Sequence, residues 1–187
     1  MKVLSFVALA VGLCSGSAYA GQALLDQNYR ELAGKRVVNL QKAYAGQVLL
    51  VVNTASKCGF TPQFESLEAM HKRYKGRGFA VLGFPSNDFM GQDPGSEKQI
   101  QEFCTLTYGV KFPMFEKVHV KGANATPLYK RLAGETGTAP GWNFHKYLID
   151  RNGRVVANFG SRTAPTDPAF VARVEALLDQ PAPEARK

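Results

Sequence analysis

Two apolar runs with a helix-period segment between them constrain this chain more than any other feature. QVLLVVNT, residues 47–54, is continuous and rich in β-branched residues, as expected of a strand buried on both faces of a sheet. GFAVLGF, residues 78–84, is a second such run. Between them Phe64, Leu67, Met70 and Tyr74 recur at three- and four-residue steps, which predicts a helix over 61–74. Pro62 suits its first turn, and Gly76 and Gly78 end it. Strand, helix and strand in this order predict a right-handed βαβ unit with parallel strands.

The second half of the chain supplies the other elements. Residues 37–40 read as a weaker strand leading into the first long one. A Pro-, Gly-, Asn- and Asp-rich loop covers 85–96. A helix then starts at Ser96–Glu97 and runs to about Thr107, with Ile100, Phe103 and Leu106 or Thr107 inward. A short helix over 125–133 turns Leu128 and Leu132 to one side. Strands over 144–149 and 154–159 are joined by Asn152–Gly153, a strong hairpin signal. The closing helix, 167–178, opens on a capping side chain followed by Pro168. A βαβ unit followed by a ββα unit is the arrangement of a thioredoxin-like α/β fold, with a central mixed sheet flanked by helices.

Residues 1–20 carry Lys2, an apolar run too short to span a bilayer, and Ala18-Tyr19-Ala20. This is the pattern of a cleaved signal peptide; a membrane anchor or a buried helix is the competing reading. Bulky Leu13 stands before Cys14 where lipid attachment wants a small residue, so Cys14 is expected to leave with the signal. The expected mature domain is 21–187, placed in the periplasm or secreted. It keeps two cysteines, Cys58 and Cys104, too few for a disulfide scaffold but enough for one redox couple. The net charge of +8 is spread along the chain without interleaved aromatics. That argues against a nucleic-acid surface and leaves a weak attraction for anionic or membrane surfaces.

Cys58 falls where the first long strand hands over to a helix, and no second cysteine follows: the third position after it is Thr61. Unpaired N–H groups and the partial positive charge of a helix N-terminus favour thiolate over thiol, and Lys57 adds a nearby cation. A free cysteine is most often a buried apolar side chain, but Ser56, Lys57 and Thr61 are polar neighbours. A thiolate without a neighbouring cysteine can attack an O–O bond and become a sulfenic acid. Amide and indole N–H groups stabilise the departing oxygen without pairing permanently with the sulfur. Gln92, in the first long loop, and Trp142–Asn143, ahead of a later strand, stand at element ends where such sites gather. Composition alone does not single them out, and a lone Trp is more often a core anchor. His71, His119 and His145 lack metal-ligand spacing, His71 lying on the polar side of a basic helix. No phosphate-binding loop is present, and the chemistry needs no bound cofactor.

The stretches VNTASKCGFTPQFESLEAMHKRY, LGFPSNDFMGQDPGSEKQIQEFC, KFPMFEKVHVKG and WNFHKYLIDRNGRVVANFGS together resemble the glutathione peroxidase family, cysteine type. The resemblance implies a thioredoxin fold and the reduction of hydrogen peroxide and of organic or lipid hydroperoxides. It implies a catalytic tetrad of Cys58, Gln92, Trp142 and Asn143, and a resolving role for Cys104, matched to the family's EFC position. The product would be a Cys58–Cys104 disulfide, recycled by a dithiol protein of thioredoxin type or by glutathione. Plain helix core is the other reading of Cys104, which lies four residues after Ile100. If the two sulfurs start far apart, the helix must partly unwind for the bond to form.

Departures from the family pattern are few. Ser86 replaces a further cysteine, and Asp88, Met90 and Asp93 replace commoner Gln, Gly and Glu in the Gln92 loop. A short segment between Lys121 and Trp142 goes with a monomer, and the arginine pattern that grips glutathione in tetrameric members is not evident. Besides a peroxidase, a thiol–disulfide carrier or redox sensor uses the same two cysteines without fast peroxide chemistry.

Overall fold

The structure is a computed structural model that describes residues 24–183. The expected signal peptide, residues 1–20, lies outside the described residues, as does the end of the C-terminal tail. A central four-stranded sheet runs in the order β4-β3-β5-β6, with β3 Val48–Thr54, β4 Phe79–Pro85, β5 Lys146–Ile149 and β6 Val155–Phe159. β3 and β4 are parallel, while β3–β5 and β5–β6 are antiparallel. This is the mixed sheet and the βαβ–ββα order anticipated. Every residue of β3 and β4 is buried, which is why both runs are apolar without alternation.

Two cores form, one on each face. On one face Leu50, Val52, Val81 and Leu148 meet α2 (Gln63–Tyr74) through Phe64, Leu67, Met70 and Tyr74, and α5 (Pro168–Leu178) through Phe170 and Val174. On the other, Leu49, Val51, Leu82 and Tyr147 meet α4 (Pro127–Thr136) through Leu128, Tyr129 and Leu132. Helix α4 starts later and runs further than the expected 125–133. Asp167 caps α5, accepting from the amides of Ala169 and Phe170 at 2.9 and 3.2 Å.

Three local expectations need correction. Residues 37–40 do not lead into the central sheet. β2 (Val37–Asn39) pairs with β1 (Asn28–Arg30) in a separate hairpin, and Leu40 begins the short α1 (Leu40–Tyr44). Phe144 is not in a strand; its φ of +61° turns the chain before β5 begins at Lys146. Helix α3 (Glu97–Tyr108) buries Ile100 and Cys104, whereas Leu106 is 84% exposed and Thr107 is exposed. Positions 100 and 104 are one helical turn apart and share a face; 106 points away from it.

The edge of β4 is covered rather than open. Gly83 donates to Pro113 O and accepts from Phe115 N, both at 2.9 Å. A β-carbon at Gly83 would run into the Met114 sulfur, so this close approach requires glycine. Helix α3 starts on a capping box, with Gln99 N donating to Ser96 Oγ at 3.3 Å and Ser96 N to Gln99 Oε1 at 2.9 Å. Its first turn is also tied down through Glu97, which binds Arg30 at 2.7 Å and accepts from Lys117 N at 3.0 Å.

Candidate active site

The site gathers where β3 and β4 end and where the chain enters β5. After Thr54 the chain makes a tight turn before α2, and Thr61 organises it. Its buried hydroxyl accepts from Cys58 N at 3.0 Å and donates to Ala55 O at 2.9 Å. Thr61 N in turn donates to Cys58 O at 3.0 Å. The position where a second cysteine would form a short disulfide is thus occupied by a side chain that fixes the loop. Cys58 is half-buried, and the amide of Phe60 points at its Sγ at 3.4 Å.

Gln92 comes from the loop after β4 and lies against this turn: Lys57 N donates to Gln92 O at 2.9 Å. Its side-chain Oε1 accepts from Asn143 Nδ2 at 2.8 Å, a contact between residues 51 apart in sequence. With Oε1 engaged, Nε2 is the end of the Gln92 amide that can donate. Trp142 packs its ring on Phe89 of the same loop, with centroids 5.5 Å apart. It also shares with Phe60, His145 and Arg162 the wall of a groove of about 500 Å³. The structure therefore brings Cys58, Gln92 and Asn143 into one bonded neighbourhood, with Trp142 on its rim.

The residues that hold Trp142 and Asn143 had no signal in the sequence. Asn53 clamps the entry to β5, donating from Nδ2 to Trp142 O at 3.1 Å and accepting from Phe144 N at 2.7 Å. Lys146 is fully buried and donates from Nζ to Phe144 O at 2.7 Å. It pairs across the sheet with Val52 and with Phe159, so its side chain stands on the α2 face. Burial pushes its ammonium down to about 7. His71, expected on the polar side of α2, is half-buried; its Nδ1 accepts from Val81 N at 3.4 Å and its ring meets Phe112 edge-on. Burial lowers its pKa.

Asp93, next to Gln92, is buried. Its Oδ1 accepts from Ser56 N at 3.1 Å and Ser56 Oγ at 2.7 Å, tying the Gln92 loop to the Cys58 turn. Asp88 anchors the other end of the loop, its Oδ1 2.6 Å from His119 Nδ1 and its Oδ2 accepting from Val120 N at 2.7 Å. Met90 adopts a φ of +53° and is exposed; a side chain there is strained by about 1 kcal/mol relative to Gly.

Cys104 lies in α3, 2% exposed and unpaired, and Cys58 packs against the same apolar cluster. Burial, with the Asp93 carboxylate as a second cause, pushes the Cys104 thiol up to about 12. No cluster of three metal-ligating side chains exists among the described residues.

Comparison with known proteins shows what the chain as a whole is similar to. The family model described as glutathione peroxidase matches residues 24–133. The hydroperoxy fatty acid reductase gpx1 of Synechocystis sp. is 49% identical over 148 residues, covering 72% of this chain and 85% of its own length. The glutathione peroxidase-like peroxiredoxin 2 of Saccharomyces cerevisiae is 50% identical over 140 residues, with the same two coverages of 72% and 85%. Among solved structures, the crystal structure of Trgpx in apo form superposes with a TM-score of 0.67 at 35% identity, covering 86% of this chain and 98% of that one.

Proposed function

The chain belongs to the glutathione peroxidase family as a cysteine-type member that reduces hydroperoxides through a cysteine, and from that premise we propose that the attacking cysteine is Cys58. Its sulfur takes the distal oxygen of the hydroperoxide. The O–O bond breaks, Cys58 becomes a sulfenic acid, and the remaining oxygen leaves as an alcohol or water once protonated. The observation that carries this reading is the 2.8 Å Asn143–Gln92 hydrogen bond beside the Cys58 turn. It sets the Gln92 amide so that Nε2 remains to donate to the departing oxygen, with the indole N–H of Trp142 as a second donor. Asn143→Ala is expected to lower kcat/KM by roughly 10- to 100-fold, from a lost donor alignment of about 1.5–3 kcal/mol. A change under twofold in steady-state assays removes the positioning role.

Cys104 is the proposed resolving cysteine, and the regenerating electrons come from a thiol reductant. The groove beside Trp142, with the faces of Phe60 and Trp142 on its wall, suits organic hydroperoxides with an apolar chain, in keeping with the name of the Synechocystis relative. The pattern at residues 1–20 supports export, which makes an exported dithiol protein of thioredoxin type the proposed partner. N-terminal sequencing of protein from the extracytoplasmic fraction should then start at Gly21. The short segment between Lys121 and Trp142 supports a monomer, and the basic net charge supports at most a weak membrane contact.

Turnover of hydrogen peroxide and of a fatty acid hydroperoxide, with dithiol proteins and glutathione compared as reductants, tests the whole reading. Rapid consumption with a dithiol protein is expected. Consumption no faster than with free cysteine would instead favour a thiol–disulfide carrier.

A further inference from the structure

We infer that the groove beside Trp142 is a binding site for an acyl chain with a free carboxylate, held at its head by Arg162, so that the protein reduces the hydroperoxide of a free fatty acid in preference to that of its ester. The inference rests on the reading of Cys58 as the attacking sulfur. It deepens that reading by naming the head group that the groove selects.

The register of the sheet builds the groove. Lys146, the first residue of β5, pairs with Phe159, the last of β6, and with Val52 near the end of β3. The residues ahead of β5 and those after β6 therefore leave the sheet side by side, at the end where β3 delivers the Cys58 turn. Gln63, in the first turn of α2, donates from Nε2 to Ser161 O at 2.6 Å. Thr163 N donates to Gly160 O at 3.1 Å. These two bonds fix the segment that carries Arg162. Phe60 lines the same groove, and its amide points at Cys58 Sγ. One wall thus belongs to the turn that holds the sulfur, and another to the segment after β6.

The lining is chemically lopsided. Phe60 and Trp142 offer aromatic faces, Ser161 and Thr163 are small and polar, and no carboxylate lines the groove. His145 is neutral near pH 7, because burial, with the Lys146 ammonium as a second cause, pushes it down to about 4. That leaves Arg162 as the one charge on the wall. It is exposed, and its guanidinium has no hydrogen-bond or ion-pair partner among the described residues. In this it stands apart from the other described arginines. Arg30, Arg36, Arg73 and Arg77 bind carboxylates, Arg151 and Arg173 bind backbone oxygens, and the rest interact as well. A guanidinium is a rigid fork of donors that meets a carboxylate in two parallel bonds. Set beside aromatic faces, it fits a ligand that is apolar along its length and anionic at one end. An ester keeps the first property and loses the second. Glutathione has carboxylates but no apolar chain to cover Phe60 and Trp142. The groove volume of about 500 Å³ suits a small-molecule ligand.

The test uses the full-length protein with a dithiol-protein reductant. Values of kcat/KM are measured for hydrogen peroxide, a linoleic acid hydroperoxide and the methyl ester of that hydroperoxide, in wild type, Arg162→Ala, Arg162→Lys and Arg162→Glu. Wild type should favour the acid over the ester about fivefold or more, and added salt should shrink this preference. In Arg162→Ala the ratio should fall to about one through a higher KM for the acid, with a loss larger than any seen for hydrogen peroxide. Arg162→Lys should keep part of the preference and Arg162→Glu should reverse it. Binding is read separately from chemistry. Trp142 is the only tryptophan of the chain, so its fluorescence reports on the groove during titration with laurate or methyl laurate. Laurate should bind more tightly than its ester, and Arg162→Ala should raise its Kd about fivefold or more. Equal constants for acid and ester in wild type, or a preference that survives Arg162→Ala, overturns the assignment. So does an Arg162→Ala defect seen only when glutathione is the reductant, which gives the guanidinium to a glutathione carboxylate. If wild type consumes none of the hydroperoxides while laurate still binds through Arg162, the reading of Cys58 has failed and the carboxylate site stands; absence of laurate binding removes the site itself.

Discussion

Cys58→Ser should lower peroxide turnover by about 1,000-fold or more while leaving the fold intact. Serine is nearly isosteric, and Thr61 bonds the backbone of residue 58 rather than its side chain. The turn therefore survives the change. The chemistry does not, because a hydroxyl is not appreciably ionised near neutral pH and has none of the reactivity of sulfur toward an O–O bond. A loss of this size exceeds 4 kcal/mol of transition-state stabilisation. Steady-state peroxide consumption, with circular dichroism as the control for folding, checks it. Retention of a tenth of wild-type activity would place the attacking sulfur elsewhere, with Cys104 as the other cysteine among the described residues.

The second large effect is expected at Cys104. With a dithiol-protein reductant, Cys104→Ser should form the Cys58 sulfenic acid in one turnover and then stall, with steady-state turnover reduced about 100-fold or more. The unresolved sulfenic acid should then climb to sulfinic acid under excess peroxide, visible by mass spectrometry. The substitution also places a hydroxyl among Ile100 and its apolar neighbours, which costs about 1–3 kcal/mol if that hydroxyl finds no partner. Cys104→Ala is the companion variant: it lacks the hydroxyl and the thiol alike. A stall shared by both variants identifies missing chemistry rather than disturbed packing. Undiminished turnover in both, with the same reductant, returns Cys104 to the role of core side chain.

The resolving role makes a demand on the fold that the structure defines. Cys104 is 2% exposed, and a resolving role is expected to need local opening of its stretch of α3. The two ends of α3 differ in how they are held. The first turn carries the capping box and the Glu97 contacts to Arg30 and Lys117. Beyond Cys104 the helix exposes Thr105, Leu106 and Thr107 and ends on Gly109, in the left-handed region at φ +62°. This final turn is mostly exposed and is held through the Tyr108 ring, which packs on Phe64 and Phe103 with centroids 5.6 and 5.7 Å away; few buried contacts favour local opening. Hydrogen exchange should therefore be faster at the amides of 105–108 than at those of 101–103, the first-turn amides having no intrahelical acceptor to protect them.

What could be read from the sequence divides along physical lines. β3, β4 and α2 were legible because burial on both faces, or on one helical stripe, writes itself into local residue spacing. The hairpin at 152–153 was legible for a local reason too: Gly153 has φ +78° and Asp150 Oδ1 accepts from the amides of Asn152 and Arg154 at 2.9 Å. Leu106 misled because an apolar residue in a helix looks like core, while the buried face was set by Ile100 and Cys104. Residues 37–40 misled because a short apolar pair does not say which sheet it joins. The site depends on long-range contacts, such as Asn143 to Gln92 and Asn53 to Trp142, and no local spacing encodes these. Its residues were singled out by family resemblance, and their mutual geometry came only with the fold. Lys146 was invisible for the opposite reason: a lysine in a strand suggests a solvated edge, and here its ammonium is spent on the carbonyl of Phe144.

The central claim is that one sulfur, that of Cys58, takes the peroxide oxygen. The most direct measurement treats reduced protein with one equivalent of hydroperoxide in the presence of a sulfenic-acid trap and maps the adduct by peptide mass spectrometry. The account predicts the trapped adduct on Cys58 alone, giving way without trap to a Cys58–Cys104 disulfide. An adduct found first on Cys104, or no adduct while peroxide is consumed, would contradict it.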